Sequence, residues 1–406
     1  MLWENRFNNF ATRIRMQNIP LRIRLWSGAI FDLGPSPLVT ITVPSLACMR
    51  HLLRPTLDGL GHAYVEQKID VEGMVADVVD VAARLAAHDA EAGPVPRRKL
   101  HMAHHSKAMD TEAIAYHYNV SNDFYALWLD SNMVYSCGYF RNPCDTLETA
   151  QEQKIDHILR KLNLREGDRL LDIGCGWGAL IMRAANQYGV KARGITLSQN
   201  QYELANEGIQ QAELADYCEV RLEDYRDVKG KYDRIASVGM FEHVGLKNLS
   251  HYFGKICNLL NDDGIALIHG ITSTDINSME APWGAGGFID RYVFPNGELP
   301  HLSLLLQQMC AADLEPVDVE NLRRHYALTL KLWSEHFEQS AERIRELVDE
   351  KCYRIWRIYL AGCAYGFQHN WMTVHQILAV NGRGAGNALP LTRDYIYTQQ
   401  SSMKSQ

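Results

Sequence analysis

Leu170-Leu-Asp-Ile-Gly-Cys-Gly-Trp-Gly178 changes character halfway along. Arg169 to Ile173 reads as a short buried strand, Gly174, Gly176 and Gly178 as a glycine-spaced turn, and Ala179 to Tyr188 as a helix. Glycine suits backbone at positive φ and lets a ligand press against the chain with no Cβ in the way. A strand, a glycine turn and a helix in that order place a ligand at the carboxyl edge of a doubly wound sheet. The dinucleotide form of this turn is G-x-G-x-x-G, with a pyrophosphate at the helix N-terminus. Here the spacing is G-x-G-x-G with Asp172 two residues ahead, which suits a ligand without phosphates.

The flanking sequence extends the same pattern. Leu147, Ala150, Ile155, Ile158, Leu159 and Leu162 lie on one helical face leading into that strand. Val190 to Thr196, Tyr217 to Leu222, Tyr232 to Val238 and Gly264 to Gly270 read as further strands, with a last one over 372–380. Helical stretches 199–213 and 247–260 alternate with them, and more helix is expected across 300–312 and 325–368. Strands alternating with helices of this length predict a mostly parallel sheet covered on both faces. The glycine-rich, aromatic stretch 279–300 is too long for a simple connection and reads as a substrate cover.

Four segments follow from this pass: a small α+β module over 1–95, a basic linker over 96–110, a catalytic domain over 111–384 and a polar tail over 385–406. In the module, Leu21 to Leu25 and Val39 to Val43 alternate as strands, and Val71 to Ala87 has helical spacing. Arg97 to Lys107 concentrates four cations and three histidines. That run is either a solvated tether or an attraction to anionic phospholipid headgroups, worth about 1 kcal/mol per cation near the surface.

Composition narrows the function. The 406 residues are 47% hydrophobic and 22% charged, as in a globular enzyme. The formal net charge of −7 argues against a nucleic-acid partner. Nine scattered cysteines form no C-x-x-C pair, which fits a reducing compartment. No apolar run approaches bilayer length and the first residues lack a signal-peptide core, so a cytoplasmic protein without spans is expected.

Each strand end carries polar groups suited to a nucleoside. Gly194-Ile-Thr-Leu-Ser-Gln-Asn-Gln201 offers Thr196, Ser198 and Gln201 where a dinucleotide site places an acid for the ribose. Glu223-Asp-Tyr225 offers a carboxylate for an adenine amino group and a ring to lie against the base. Motif by motif the chain resembles the class I S-adenosylmethionine methyltransferases, and within them a narrower family. Tyr135-Ser-Cys-Gly-Tyr139, the glycine turn, Gly194-Ile-Thr-Leu-Ser198, Asp224-Tyr-Arg-Asp227, Ser237-Val-Gly-Met-Phe-Glu-His-Val-Gly245, Leu267-Ile-His-Gly-Ile271 and Tyr292-Val-Phe-Pro-Asn-Gly-Glu-Leu-Pro300 resemble the cyclopropane fatty acid synthases and mycolic acid methyltransferases. The similarity runs from about 112 to 368 and is weaker before 95.

That resemblance implies methylene addition across a cis double bond of an unsaturated acyl chain in a membrane phospholipid. S-adenosylmethionine would be the donor, held by Tyr135, Ser136, Asp172, Gly174, Gly176, Gly178, Thr196, Leu197, Gln201, Asp224 and Tyr225. The resemblance further implies a bound bicarbonate as proton acceptor, held by Cys137, Glu242, His269, the backbone of Ile271, and Tyr326. It also implies peripheral contact with the inner face of a membrane and a homodimer. Tyr116, Tyr118, Tyr135, Phe241, Trp283 and Phe288 are aromatic candidates for stabilising a cation. Taken alone, His269 reads as a satisfied core histidine, Cys137 as a small buried apolar group and Glu242-His243 as a helix start. The same site with a different fate of the cation gives a methylated or methylene-branched chain. A methyltransferase on a soluble small molecule and a non-catalytic lipid-binding protein are the remaining readings.

Overall fold

The structure is a computed structural model and describes residues 2–90, 121–278, 285–295, 297–384 and 389–397. The basic linker, Tyr116, Tyr118, Trp283, part of the expected cover and most of the tail lie outside the described residues. Compactness divides the chain differently from its linear order. One unit comprises Met1–Met102, Glu280–Pro295 and Leu330–Trp371; the other comprises Ala103–Met279, Asn296–Thr329 and Met372–Gln406.

The second unit holds a seven-stranded sheet. Its strands are β5 (Arg169–Ile173), β6 (Lys191–Thr196), β7 (Cys218–Leu222), β8 (Tyr232–Val238), β9 (Leu260–Ser273), β10 (Leu314–Asn321) and β11 (Met372–Asn381), in the order β10-β11-β9-β8-β5-β6-β7. The pairs from β9 through β7 are parallel, and β11 and β10 add antiparallel partners at one side. Chain order reverses at β5, with β6 on one side and β8 on the other, which makes the carboxyl end of β5 the switch point where such sheets bind ligands. Apolar clusters cover both faces: Leu170, Ile181, Ala236 and Leu267 belong to one, Leu171, Ile235, Phe253 and Ile268 to the other. This is the mostly parallel sheet, covered on both faces, that the alternating pattern predicts.

Two elements differ from expectation. β10 falls between the helices expected over 300–312 and 325–368. Its valines Val317 and Val319 are exposed, and its other face carries Asp318 and Glu320, so its apolar residues do not mark the core face. Glu320 is nonetheless anchored: its carboxylate takes bonds from Lys161 at 2.6 Å and His157 at 2.7 Å. The stretch 325–368 is three helices, Arg323–Gln339, Ala341–Leu347 and Glu350–Gln368.

The first unit contains a smaller sheet of β1 (Leu21–Leu25), β2 (Ile30–Asp32), β3 (Val39–Val43) and β4 (Asp70–Glu72), ordered β2-β1-β3-β4. A helix, Leu2–Met16, precedes it and buries Phe7, Phe10, Ala11 and Ile14 at helical spacing. Val71 belongs to β4, and the helix expected over Val71 to Ala87 runs Val75–Ala90 instead. The cover helix Ala285–Tyr292 lies on the helix Leu57–Val65: a Cβ at Gly61 would meet the Phe288 ring at 2.7 Å, and the Tyr292 hydroxyl is 2.6 Å from His62 Nδ1. Phe288 is thus core of this unit.

Arg357 cross-links the same unit. Its guanidinium forks onto Glu338 at 2.9 and 3.0 Å and donates to the Tyr64 hydroxyl at 3.1 Å. Removing Arg357 leaves a partly buried Glu338 carboxylate with only partial access to water and takes a donor from Tyr64. Arg357→Ala should therefore cost roughly 2 kcal/mol in chemical denaturation, between an exposed and a buried pair; a cost under about 0.5 kcal/mol, the level of an ordinary surface substitution, would contradict this.

Candidate active site

The glycine turn after β5 uses the conformations its sequence permits. Gly174, Gly176 and Gly178 have φ of +80°, +56° and +86°. The amides of Gly174 and Cys175 both donate to the Ile195 carbonyl at 3.0 Å, tying the turn to β6. Beyond it a cavity runs along the ends of β5, β6 and β7. Asp172, Gly174, Gly176, Tyr135 and Ser136 line one end, Thr196, Leu197 and Gln201 the middle, and Tyr225 the far end. Thr196 Oγ1 bonds Gln201 Oε1 at 2.7 Å, which fixes both side chains beside the turn.

Two of the residues expected to hold the cofactor are not on the cavity wall itself, though their neighbours are. Gly178 caps the helix Ala179–Tyr188, where a Cβ would press on Ala205 at 3.3 Å, and it does not line the cavity. Asp224 also stands off the lining, with its carboxylate gripped by Arg226 at 2.8 and 2.6 Å. The carboxylate on the wall is its neighbour Glu223. The lining further includes Lys154, Gly239, Met240 and His243, none of which the sequence reading selected.

Lys154 comes from the helix Leu147–Lys161, whose inward face is not purely apolar. Gln151, Lys154, His157 and Lys161 are all 3% exposed or less and recur every three or four residues. Gln151 Nε2 donates to the carbonyls of Ser136 at 2.8 Å and Val134 at 3.2 Å, and Lys154 Nζ to Ser136 Oγ at 2.8 Å. The segment carrying Tyr135, Ser136 and Cys137 is therefore hung on this helix. Polar residues at helical spacing read as a solvated face in sequence, so only their burial singles out Lys154.

Of the five residues assigned to an anion, Glu242 and Ile271 touch directly, the Ile271 amide donating to Glu242 Oε1 at 2.7 Å. Glu242 Oε2 is buried without a partner. Burial raises this carboxyl to about 7 against the opposing pull of the Ile271 amide. His269 is buried on the same strand and accepts from Gln376 Nε2 at Nδ1, 3.2 Å away, which puts its proton on Nε2. Burial, with Lys154 and Lys161 nearby, pulls His269 down to about 3, so it is neutral.

Cys137 Sγ lies 3.2 Å from the Gly138 carbonyl and 3.9 Å from that of Leu322, and burial pushes its thiol well up. The Tyr326 amide bonds the same Leu322 carbonyl at 3.0 Å, which brings the helix turn bearing Tyr326 to Cys137. None of the five lines the cavity beside the glycine turn. The Ile271 amide donates to Glu242 in this structure. The remaining groups offer a neutral thiol, a neutral imidazole and a protonatable carboxyl, donors that suit a small anion.

Residues 105–377 match the family described as mycolic acid cyclopropane synthetase. The chain belongs to that family. Residues 12–91 match a second family, described as a domain of unknown function. A relative from Pseudomonas putida, named a probable fatty acid methyltransferase, is 48% identical over 94% of this chain and 97% of its own. The cyclopropane-fatty-acyl-phospholipid synthase of Escherichia coli K12 is 37% identical, covering 68% of this chain and 69% of that one. Among solved structures, the mycolic acid cyclopropane synthase CmaA1 complexed with SAH and CTAB is 35% identical, with a TM-score of 0.63 over 66% of this chain and 98% of that one. The chain is thus a methyltransferase of this family, with the class I fold and S-adenosylmethionine as cofactor. Asp172 Oδ1, buried and unpartnered on the cavity wall, fits the cofactor's ammonium, and the glycine turn leaves the wall free of side chains there.

Proposed function

We propose that the protein adds a methylene group from S-adenosylmethionine across the cis double bond of an unsaturated acyl chain in a membrane phospholipid, closing a cyclopropane ring. The observation that carries this reading is the Glu242 carboxyl, held by the Ile271 amide with its second oxygen buried and free. An alkene is a feeble nucleophile, and the cofactor, when bound, supplies a methyl group electrophilic enough to need no enzyme nucleophile. Transfer leaves a cation on the acyl chain, and a proton must then leave the added methyl group. His269, Cys137 and protonated Glu242 carry no charge that would capture the cation, and Tyr326 completes the set. In this reading the four hold bicarbonate as proton acceptor, with the Ile271 amide orienting Glu242. Tyr135, Ser136, Asp172, Gly174, Gly176, Thr196, Leu197, Gln201 and Tyr225 hold the cofactor, with Glu223 in the place expected of Asp224.

A membrane partner is part of the proposal. No helix among the described residues is long and apolar enough to cross a bilayer. Support for a peripheral contact comes from Trp26 and Leu46, which follow the paired strands β1 and β3 and stay exposed together with Ile30. A second reading, a methylated or methylene-branched acyl product, is favoured by the name of the 48% identical relative.

The test is incubation of the purified protein with labelled S-adenosylmethionine and unsaturated phospholipid vesicles, with and without bicarbonate. Released fatty acids are analysed by mass spectrometry and proton NMR, and co-sedimentation reads vesicle binding. A gain of one CH₂ with upfield ring protons and a bicarbonate requirement is expected. Olefinic or methyl-branch signals at the same mass would select the second reading. Cofactor binding without lipid labelling would overturn the substrate assignment.

A further inference from the structure

The cofactor's methionine end carries an ammonium and a carboxylate, and Asp172 answers only the first. We propose that Lys154, presented together with Ser136, is the dock for that carboxylate. The inference rests on reading the cavity beside the glycine turn as the S-adenosylmethionine site.

Three observations carry it. Lys154 is 3% exposed, yet it lines the cavity, presented by the helix Leu147–Lys161. An ammonium has three donors, and among the described residues the side chain has one hydrogen-bond partner, Ser136 Oγ at 2.8 Å. Buried donors without acceptors are costly, so the site is organised for an acceptor that arrives with the ligand. Ser136 lines the cavity as well, and its hydroxyl, accepting from Lys154, has its own proton to give to the same oxygen pair.

Position selects the carboxylate. The ends of β6 and β7 carry the groups suited to ribose and base, whereas Lys154 shares the β5 end with Asp172 and Ser136. Asp172 Oδ1 is unpartnered there, and no hydrogen bond joins it to Lys154. Burial raises the Asp172 carboxyl to about 7 against the pull of Lys154, so an arriving ammonium draws it to the anion. An ammonium and a carboxyl at one end of a buried cavity are complementary to an amino acid zwitterion. Burial draws Lys154 down to about 8 while Asp130, Cys137 and Asp172 hold it up, so an arriving carboxylate favours the charged form.

Calorimetric titration of the full chain with S-adenosylhomocysteine and with 5′-methylthioadenosine tests this, because the second ligand keeps the adenosyl thioether and lacks the amino acid. Lys154→Met should weaken S-adenosylhomocysteine binding by about 10- to 100-fold, the range of a charge-assisted bond, and change 5′-methylthioadenosine binding by less than about two-fold. Lys154→Arg should recover part of the loss. Ser136→Ala, which leaves the lysine in place, should show a smaller loss with the same selectivity and serves if Lys154→Met does not fold. Equal losses on both ligands would make Lys154 a structural residue and overturn the proposal, as would unchanged S-adenosylhomocysteine binding. Wild-type protein that binds neither ligand would overturn the cofactor reading with it. Wild-type protein that binds both but labels no lipid would leave this inference standing and remove the acyl substrate.

Discussion

Glu242→Gln is expected to make the protein more stable at pH 8 and nearly inactive. The amide keeps an oxygen where the Ile271 N–H donates at 2.7 Å, so the turn after β8 is preserved. What changes is the ionisation. Burial raises the Glu242 carboxyl from an ordinary 4.5 to about 7. A carboxyl held above its unfolded value binds its proton more tightly in the folded state. Its contribution to stability is full below pH 4.5, is lost as pH rises through about 7, and is then absent. That range corresponds to roughly 3 kcal/mol. The variant has nothing to lose, so its advantage over wild type should grow by roughly that amount between pH 4.5 and pH 8 in chemical denaturation. Turnover should fall by about 100-fold, the scale of an impaired acid–base step, because an amide can neither take up nor release a proton as bicarbonate beside it is protonated and reset. Parallel stability curves would mean that Glu242 titrates normally, and near wild-type turnover would remove it from the site.

Gly270→Ala is the second large effect, and it acts from the backbone. Gly270 separates His269 from Ile271 in β9, between β8 and β11. A Cβ there would stand 2.4 and 2.6 Å from the Phe241 ring and 2.9 Å from Glu242 Oε1. Phe241 is buried at 2% exposure and cannot step aside freely. The added methyl must therefore displace the turn that carries Glu242. Overpacking of this kind costs about 1–3 kcal/mol. Lipid labelling should fall as far as in Glu242→Gln, while binding of S-adenosylhomocysteine should fall far less, because Phe241 and Glu242 do not line that cavity and only their neighbours Gly239, Met240 and His243 do. Labelling at the wild-type rate would show that the Glu242–Ile271 contact is dispensable.

The parts of this fold that were legible in the sequence are those where one residue type has one physical job. Gly174 and Gly176 stand at positive φ beside the cavity, and the alternation of apolar strand with helix pointed to the parallel sheet, though not to its strand order. β10 was hidden because its outward valines and inward Asp318 and Glu320 invert the usual sign of burial. Lys154 was hidden for a related reason: a lysine within a helix reads as solvent-facing until the structure supplies Ser136. Asp224 and Glu223 were indistinguishable by type, and only Arg226, two residues beyond Asp224, decides which of them turns away from the cavity. The cover illustrates a different limit. Phe288 fills the space over Gly61, a pairing across more than two hundred positions that no local pattern encodes.

The buried polar stripe on the helix Leu147–Lys161 also bears on how the molecule comes to be made. Burying Lys154 and Lys161 before Ser136 and Glu320 are in place would strand two ammonium groups in an apolar interior. Glu320 leaves the ribosome 159 residues after Lys161. Settling of the helix on the sheet is therefore favoured once β10 has brought Glu320 to Lys161. The segment bearing Tyr135, Ser136 and Cys137, hung on that helix, settles with it. A chain truncated before β10 therefore lacks the acceptor that makes burial of Lys161 favourable, and the helix that presents Lys154 and Ser136 loses one of its anchors.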